Sequence, residues 1–245
     1  MLPAPATAPA TATATAPNAA DASGEARVER IWDAPIRLFH WLLVALLGFS
    51  WWSGEQHDME RHRISGYCIL ALIIFRVFWG FCGSRTARFA AFLRGPRATV
   101  AYARALARGD SPVSPGHNPI GGWSVVLMLT LLGAMVTAGV FAVDIDGIES
   151  GPLADYVTFE QGRTAADIHA ILFNMILVVT AIHVAAIAFY LVKRRRNLIT
   201  PMITGRRPRD ATAPVGPIDT PVWRFAIGIV IAATCAVMIA RGFRL

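Results

Sequence analysis

The chain contains six histidines: His40, His57, His62, His117, His169 and His183. Two of them stand in the apolar stretch DIHAILFNMILVVTAIHVAAIAFYLV, fourteen residues apart. On an α-helix, fourteen residues bring two side chains back within about 40° of one face and separate them by about 21 Å along the axis. His169 and His183 therefore offer two imidazoles to one interior at two depths. His40 lies near the start of a second apolar run, RLFHWLLVALLGFSWW. A titratable ring there needs a partner: an interhelical hydrogen bond, a proton relay or a bound cofactor. Arg76 repeats the spacing, fourteen residues after His62 and on the same helical face. Gly66, one turn after His62, leaves room on that face for a flat group to approach.

The elements that carry these residues are set by hydropathy. Of 245 residues, 55% are hydrophobic and only 16% charged, and the apolar residues fall in long blocks. That composition marks a membrane protein, whose spanning helices need roughly 20 mainly apolar residues each. Four segments qualify, near 36–53, 64–83, 121–143 and 168–192, and a shorter fifth lies near 223–241, closed by Arg241. The net charge of +7 reads as topogenic arginine rather than nucleic-acid binding. Arg85, Arg88, Arg94, Arg97, Arg104 and Arg108 crowd one loop, and Lys193, Arg194, Arg195 and Arg196 follow the fourth segment. The 144–167 loop instead holds six acids against Arg163 alone. This bias places the N-terminus and the basic loops in the cytoplasm and the acidic loop outside.

Depth then pairs the histidines. His40 opens the first helix on the cytoplasmic side, at the level of His183; His62 opens the second on the outer side, at the level of His169. Two histidines at each of two levels is the ligand set for two bis-histidine b-type haems held between helices. Arg76 lies at the cytoplasmic level, where a haem propionate suits its guanidinium. Zinc or copper fits poorly, because no carboxylate or thiolate completes either pair. Cys68, Cys82 and Cys235 form no CxxC pair, and no C-x-x-C-H is present for covalent haem attachment. His57, in the acidic EQHDMER turn, reads as solvated although it rivals His62. His117, in GHNPIGGW, reads as a turn or helix-start residue within reach of a propionate or a quinone. The segment 86–108 is basic and amphipathic, offering Phe89, Phe92, Leu93, Tyr102 and Leu106 to the membrane surface.

The expected organisation follows. Residues 1–27, dominated by Ala, Thr and Pro, read as a disordered cytoplasmic tail. Residues 28–204 form an all-α four-helix transmembrane haem-binding bundle, 205–220 a linker, and 221–245 a fifth transmembrane helix.

The motifs RIWDAPIRLFHW, HRISGY, FRVFWGFCGSRTARF, GHNPIGGW and DIHAILFNMILVVTAIH, together and in this order, resemble the bacterial di-haem cytochrome b561 family. The likeness covers about residues 28–200 and is strongest to the branch shared with nickel–iron hydrogenase b-type cytochromes. It implies an inner-membrane electron carrier with two non-covalent haems on His40, His62, His169 and His183. It also implies quinone or quinol as substrate and a redox protein as partner, either a periplasmic c-type cytochrome or a hydrogenase or dehydrogenase subunit. Two alternatives stand beside it: a haem-bearing membrane anchor whose catalysis belongs to another subunit, and a haem-free proton-coupled transporter. No residue is singled out as catalytic, and whether the chain forms a homodimer is left open. The Ala/Thr/Pro tail and the fifth segment depart from the family pattern.

Overall fold

The computed structural model describes residues 28–110, 114, 116–146, 148–208 and 218–244. The expected tail, 1–27, and the middle of the expected linker, 209–217, lie outside them. Five helices are long and apolar enough to span a membrane: α1 (Ala34–Glu55), α2 (Met59–Cys82), α5 (Pro119–Phe141), α6 (Phe159–Val192) and α8 (Val222–Ala240). The short α3 (Phe89–Phe92) and α4 (Pro96–Ala107) connect α2 to α5, and α7 (Ile199–Thr204) follows α6. Two three-residue strands, β1 (Val28–Arg30) and β2 (Arg206–Pro208), pair antiparallel with Glu29 opposite Arg207.

Helix starts follow local chemistry. Asp33 caps α1 through its carboxylate to the Ile36 N–H (2.8 Å), with Pro35 in the first turn. Asn118 caps α5 through the Gly121 N–H (2.8 Å), with Pro119 beside it. Thr158 and Gln161 form a reciprocal capping box at the start of α6. Such side-chain acceptors satisfy amides that the first turn leaves open. The 34 residues of α6 extend about 51 Å, well beyond a hydrocarbon core of about 30 Å, so its ends project past the other spans.

The bundle is built from two helix pairs, α1 with α2 and α5 with α6, joined where α2 meets α5. Helix α8 covers the far side of α2. Gly228 lets them close: a Cβ there would lie 2.8 Å from the Phe78 ring. Ala232 and Ala236 continue the same buried face. Two apolar clusters result. One, of Ile31, Trp32, Ile36, Phe75, Trp79, Ala87 and Ala232, closes the end where β1 and β2 lie. The other, including Ile69, Ile73, Leu131, Met135 and Ile176, fills the middle of the bundle.

The two ends differ in charge. At the end bearing Arg37 and Arg76, Gly205 adopts φ +79° and its carbonyl accepts from Ile31 and Trp32 (2.9 and 3.3 Å). Glu29 pairs with Arg207 (2.8 Å), and Trp41 donates to the Met202 carbonyl (3.1 Å). At the acidic-loop end, Tyr156 donates to the Gly242 carbonyl (3.0 Å) and Arg244 pairs with Asp155. Helix α8 therefore runs the full depth of the bundle, and the Arg244 charge, unexpected on that side, meets a loop carboxylate.

The connection 86–108 corrects an expectation. Phe92 is 4% exposed and Tyr102 7%, so neither faces the membrane surface. Phe92 packs beside Gly122 of α5, and Tyr102 hydrogen bonds Tyr190 of α6 (3.1 Å). Burial of these rings between helices outweighs what an interfacial position would offer them.

Candidate functional site

The two histidines expected at the outer level meet. His62, in the first turn of α2, and His169, in α6, have ring centres 5.9 Å apart with their planes at 76°. Two imidazoles sharing one metal ion have ring centres roughly 6 Å apart, given a metal–nitrogen bond of about 2 Å on either side. Each ring is anchored through Nδ1: His62 donates to the Ser50 carbonyl of α1 (2.9 Å) and His169 to the Met135 carbonyl of α5 (2.8 Å). A proton held on Nδ1 leaves the Nε2 lone pair for a ligand, the arrangement that orients metal-bound histidines. Four helices thus build one level, two supplying imidazoles and two supplying their acceptors.

A cavity of about 210 Å³ adjoins these rings, lined among others by Leu47, Gly66, Ile69 and Phe173. Gly66 has no neighbour within 4 Å of where a Cβ would stand, so its surface is open. Two glycines that sequence reasoning missed matter more closely. A Cβ on Gly54 would lie 3.2 Å from His62 Nδ1, and one on Gly139 would lie 2.8 Å from His169 Nδ1. Their signal, a glycine on a helix facing a histidine, is invisible without knowing which helices face.

The second level lies at the arginine-rich end. His40 of α1 and His183 of α6 are within electrostatic reach of each other. His117, just before α5, is within reach of Arg76, His183 and His40. Burial first, then the Arg76 charge and the two histidines, push the His117 imidazole down to about 3, so it is neutral at physiological pH. Its ring packs against Trp32 (4.6 Å between ring centres) and Phe92 (4.8 Å). Arg76 is 3% exposed, with Phe89 under its guanidinium at 4.9 Å. Next to this group, Asn118 Nδ2 donates to the Tyr190 hydroxyl (3.1 Å), which meets Tyr102. Burial, then that hydroxyl, push the Tyr102 phenol up.

Several buried polar atoms of this level have no hydrogen-bond partner: His40 Nδ1, Arg76 Nη1 and His117 Nδ1. Native interiors rarely leave such atoms unpaired unless a bound group completes them. A macrocycle with two carboxylates and an iron that takes imidazole suits this donor set and the outer pair alike. Between the levels, the cluster of Ile69, Ile73, Leu131, Met135 and Ile176 is an apolar partition. His57 is excluded from both levels. It sits exposed in the α1–α2 turn with φ +56°. Among the described residues, no cluster of three or more His, Cys, Asp or Glu side chains could hold a bare metal ion.

Residues 31–205 match the model of a family described as prokaryotic cytochrome b561. A protein of Rhizobium leguminosarum bv. viciae, described as a probable Ni/Fe-hydrogenase B-type cytochrome subunit, is 27% identical over 227 residues. That alignment takes in 77% of this chain and 94% of the relative.

Proposed function

The chain belongs to the prokaryotic cytochrome b561 family and is a haem-containing, multi-pass membrane electron-transfer protein; from that premise we propose that it holds two b-type haems and passes single electrons across the membrane. His62 and His169 hold one haem and His40 and His183 the other. The observation that carries this reading is the anchored pair, His62 and His169, with ring centres 5.9 Å apart and both Nδ1 atoms on main-chain carbonyls.

Bis-histidine haem supplies a one-electron couple with no open coordination position. The chain's own residues do the rest. The Ser50 and Met135 carbonyls hold the tautomer, Gly66 leaves space for a flat ring, and the Ile69–Ile176 layer keeps water out between the levels. Arg76 places a positive charge where a propionate needs one.

The arginine-rich end is cytoplasmic and the acidic-loop end periplasmic, by the Lys/Arg bias of the loops, so the N-terminus lies inside the bacterial inner membrane. Residues 28–204 form the haem domain, and 205–220 join it to the fifth span within 221–245. Electrons exchange between the quinone pool and a redox protein. The relative named as a hydrogenase cytochrome subunit favours a hydrogenase as that protein, with this chain as its membrane subunit, over a c-type cytochrome. The acidic loop offers such a partner a surface of complementary charge.

The test is the reduced-minus-oxidised spectrum of the purified full-length chain with its haem content. A b-type α-band and about two haems per chain are expected on this ligand set. One haem, or a colourless protein, overturns the proposal. Co-purification of a hydrogenase subunit separates the membrane-subunit reading from an autonomous quinol oxidoreductase.

A further inference from the structure

His117 takes no part in either histidine pair, yet its position is tightly defined. From Arg76 a continuous set of contacts leads to it. Phe89 lies under the guanidinium at 4.9 Å, Phe92 is 5.9 Å from Phe89, and His117 is 4.8 Å from Phe92. Trp32 also packs against His117, with ring centres 4.6 Å apart. Two glycines admit the rings that make this wall: a Cβ on Gly80 would strike Phe89 at 2.0 Å, and one on Gly122 would lie 3.0 Å from Phe92.

Arg76 and His117 each hold a buried nitrogen with no partner, Nη1 and Nδ1. Arg76 makes no hydrogen bond or ion pair among the described residues. The nearby carboxylate, Asp33, is already engaged: one oxygen accepts from Ile36 N–H (2.8 Å) and the other from Trp79 Nε1 (2.9 Å). The guanidinium can only donate, and a neutral imidazole protonated on Nδ1 also donates there. Two donors, one of them on a buried cation, call for an acceptor with negative charge.

We infer that His117 and Arg76 together bind a carboxylate of the haem held by His40 and His183, His117 donating through Nδ1–H and Arg76 through Nη1. This rests on the two-haem reading above. A quinone oxygen would accept a hydrogen bond but brings no charge to offset the guanidinium. His117 is thus a positioning residue for the cofactor, not a ligand to its iron.

Redox titration of the purified full-length protein tests this, with the haem of His40 and His183 identified by its loss in His183→Ala. In His117→Phe, that haem's reduction equilibrium shifts about tenfold toward the oxidised form, or about 59 mV for a one-electron couple. The cause is a carboxylate charge left less neutralised beside the iron. His117→Gln, which keeps an N–H donor, stays within about threefold of the unaltered protein, a fraction of that 59 mV. The haem of His62 and His169 moves in neither. Redox-difference infrared spectra with 13C-labelled haem carboxylates read the contact directly, and the carboxylate band shifts between the unaltered protein and His117→Gln. Unmoved potentials with an unmoved band overturn the inference, as does an equal shift of both haems. Normal potentials with a raised KM for quinol also overturn it, assigning His117 to the quinone. Absence of haem from the unaltered protein is a different failure and strikes the two-haem reading itself.

Discussion

His62 and His169 face each other with ring centres 5.9 Å apart, and each is tethered through Nδ1 to the main chain of a further helix, His62 to Ser50 of α1 and His169 to Met135 of α5. The tether sets both ring orientation and tautomer, and a glycine, Gly54 or Gly139, stands beside each ring. The pair is therefore sensitive to substitutions that touch neither histidine.

Gly139→Ala is the sharpest of these. A methyl group there meets His169 Nδ1 at 2.8 Å and Cε1 at 3.0 Å, so the ring must shift from its place on the Met135 carbonyl. Loss of such an orienting contact is expected to weaken binding at this level roughly 10- to 100-fold, read by haem titration of the purified variant. Gly133→Ala on the same helix meets nothing within 4 Å and should bind as the unaltered protein does. Gly66→Leu, which projects into the cavity beside the rings, should also lower haem content while helix content by circular dichroism stays unchanged. Equal haem content in all three variants would contradict the geometry.

Asp33 ties the start of α1 to α2. Its carboxylate caps Ile36 and accepts from the buried Trp79 indole. Asp33→Ala removes a cap worth about 1 kcal/mol and strands an indole N–H at about 1–3 kcal/mol, so a loss of about 2–4 kcal/mol is expected. Asp33→Asn keeps the cap and should lose about half of that. Unfolding monitored by circular dichroism in detergent checks both values, and equal stability of the three proteins would refute the assignment.

Helix α8 supports the bundle by packing on α2. Gly228→Val drives a side chain into Phe78 and Phe75, which stand 2.8 and 3.1 Å from the Cβ position. Overpacking of this kind costs about 1–3 kcal/mol, so the melting temperature should fall while the visible spectrum stays unchanged. The exposed Arg244–Asp155 pair is worth less than about 1 kcal/mol, and Arg244→Ala should leave the melting temperature nearly unmoved. A spectrum altered by Gly228→Val would show that α8 touches the haem sites.

Much of this was legible from residue type and spacing. Five apolar segments became α1, α2, α5, α6 and α8 within a few residues, except that α6 begins nine residues before its apolar core, at Phe159. Loop charge gave the depth order that puts His62 opposite His169 and His40 near His183. The tethers were not legible, because the acceptors on Ser50 and Met135 are main-chain carbonyls that any residue supplies. Nor was the inward turn of Phe92 and Tyr102: an amphipathic pattern marks an apolar face without saying whether lipid or protein covers it. The β1–β2 ribbon escaped for a related reason, since three-residue strands carry no periodic signal and their pairing spans most of the chain.

The pairing of histidines is tested most directly by difference spectra of four single variants, His40→Ala, His62→Ala, His169→Ala and His183→Ala. Each should retain one haem. The spectrum left by His40→Ala should match that left by His183→Ala, and the one left by His62→Ala should match that of His169→Ala. A match between His40→Ala and His62→Ala, or two haems retained in any variant, would contradict two bis-histidine sites stacked through this bundle.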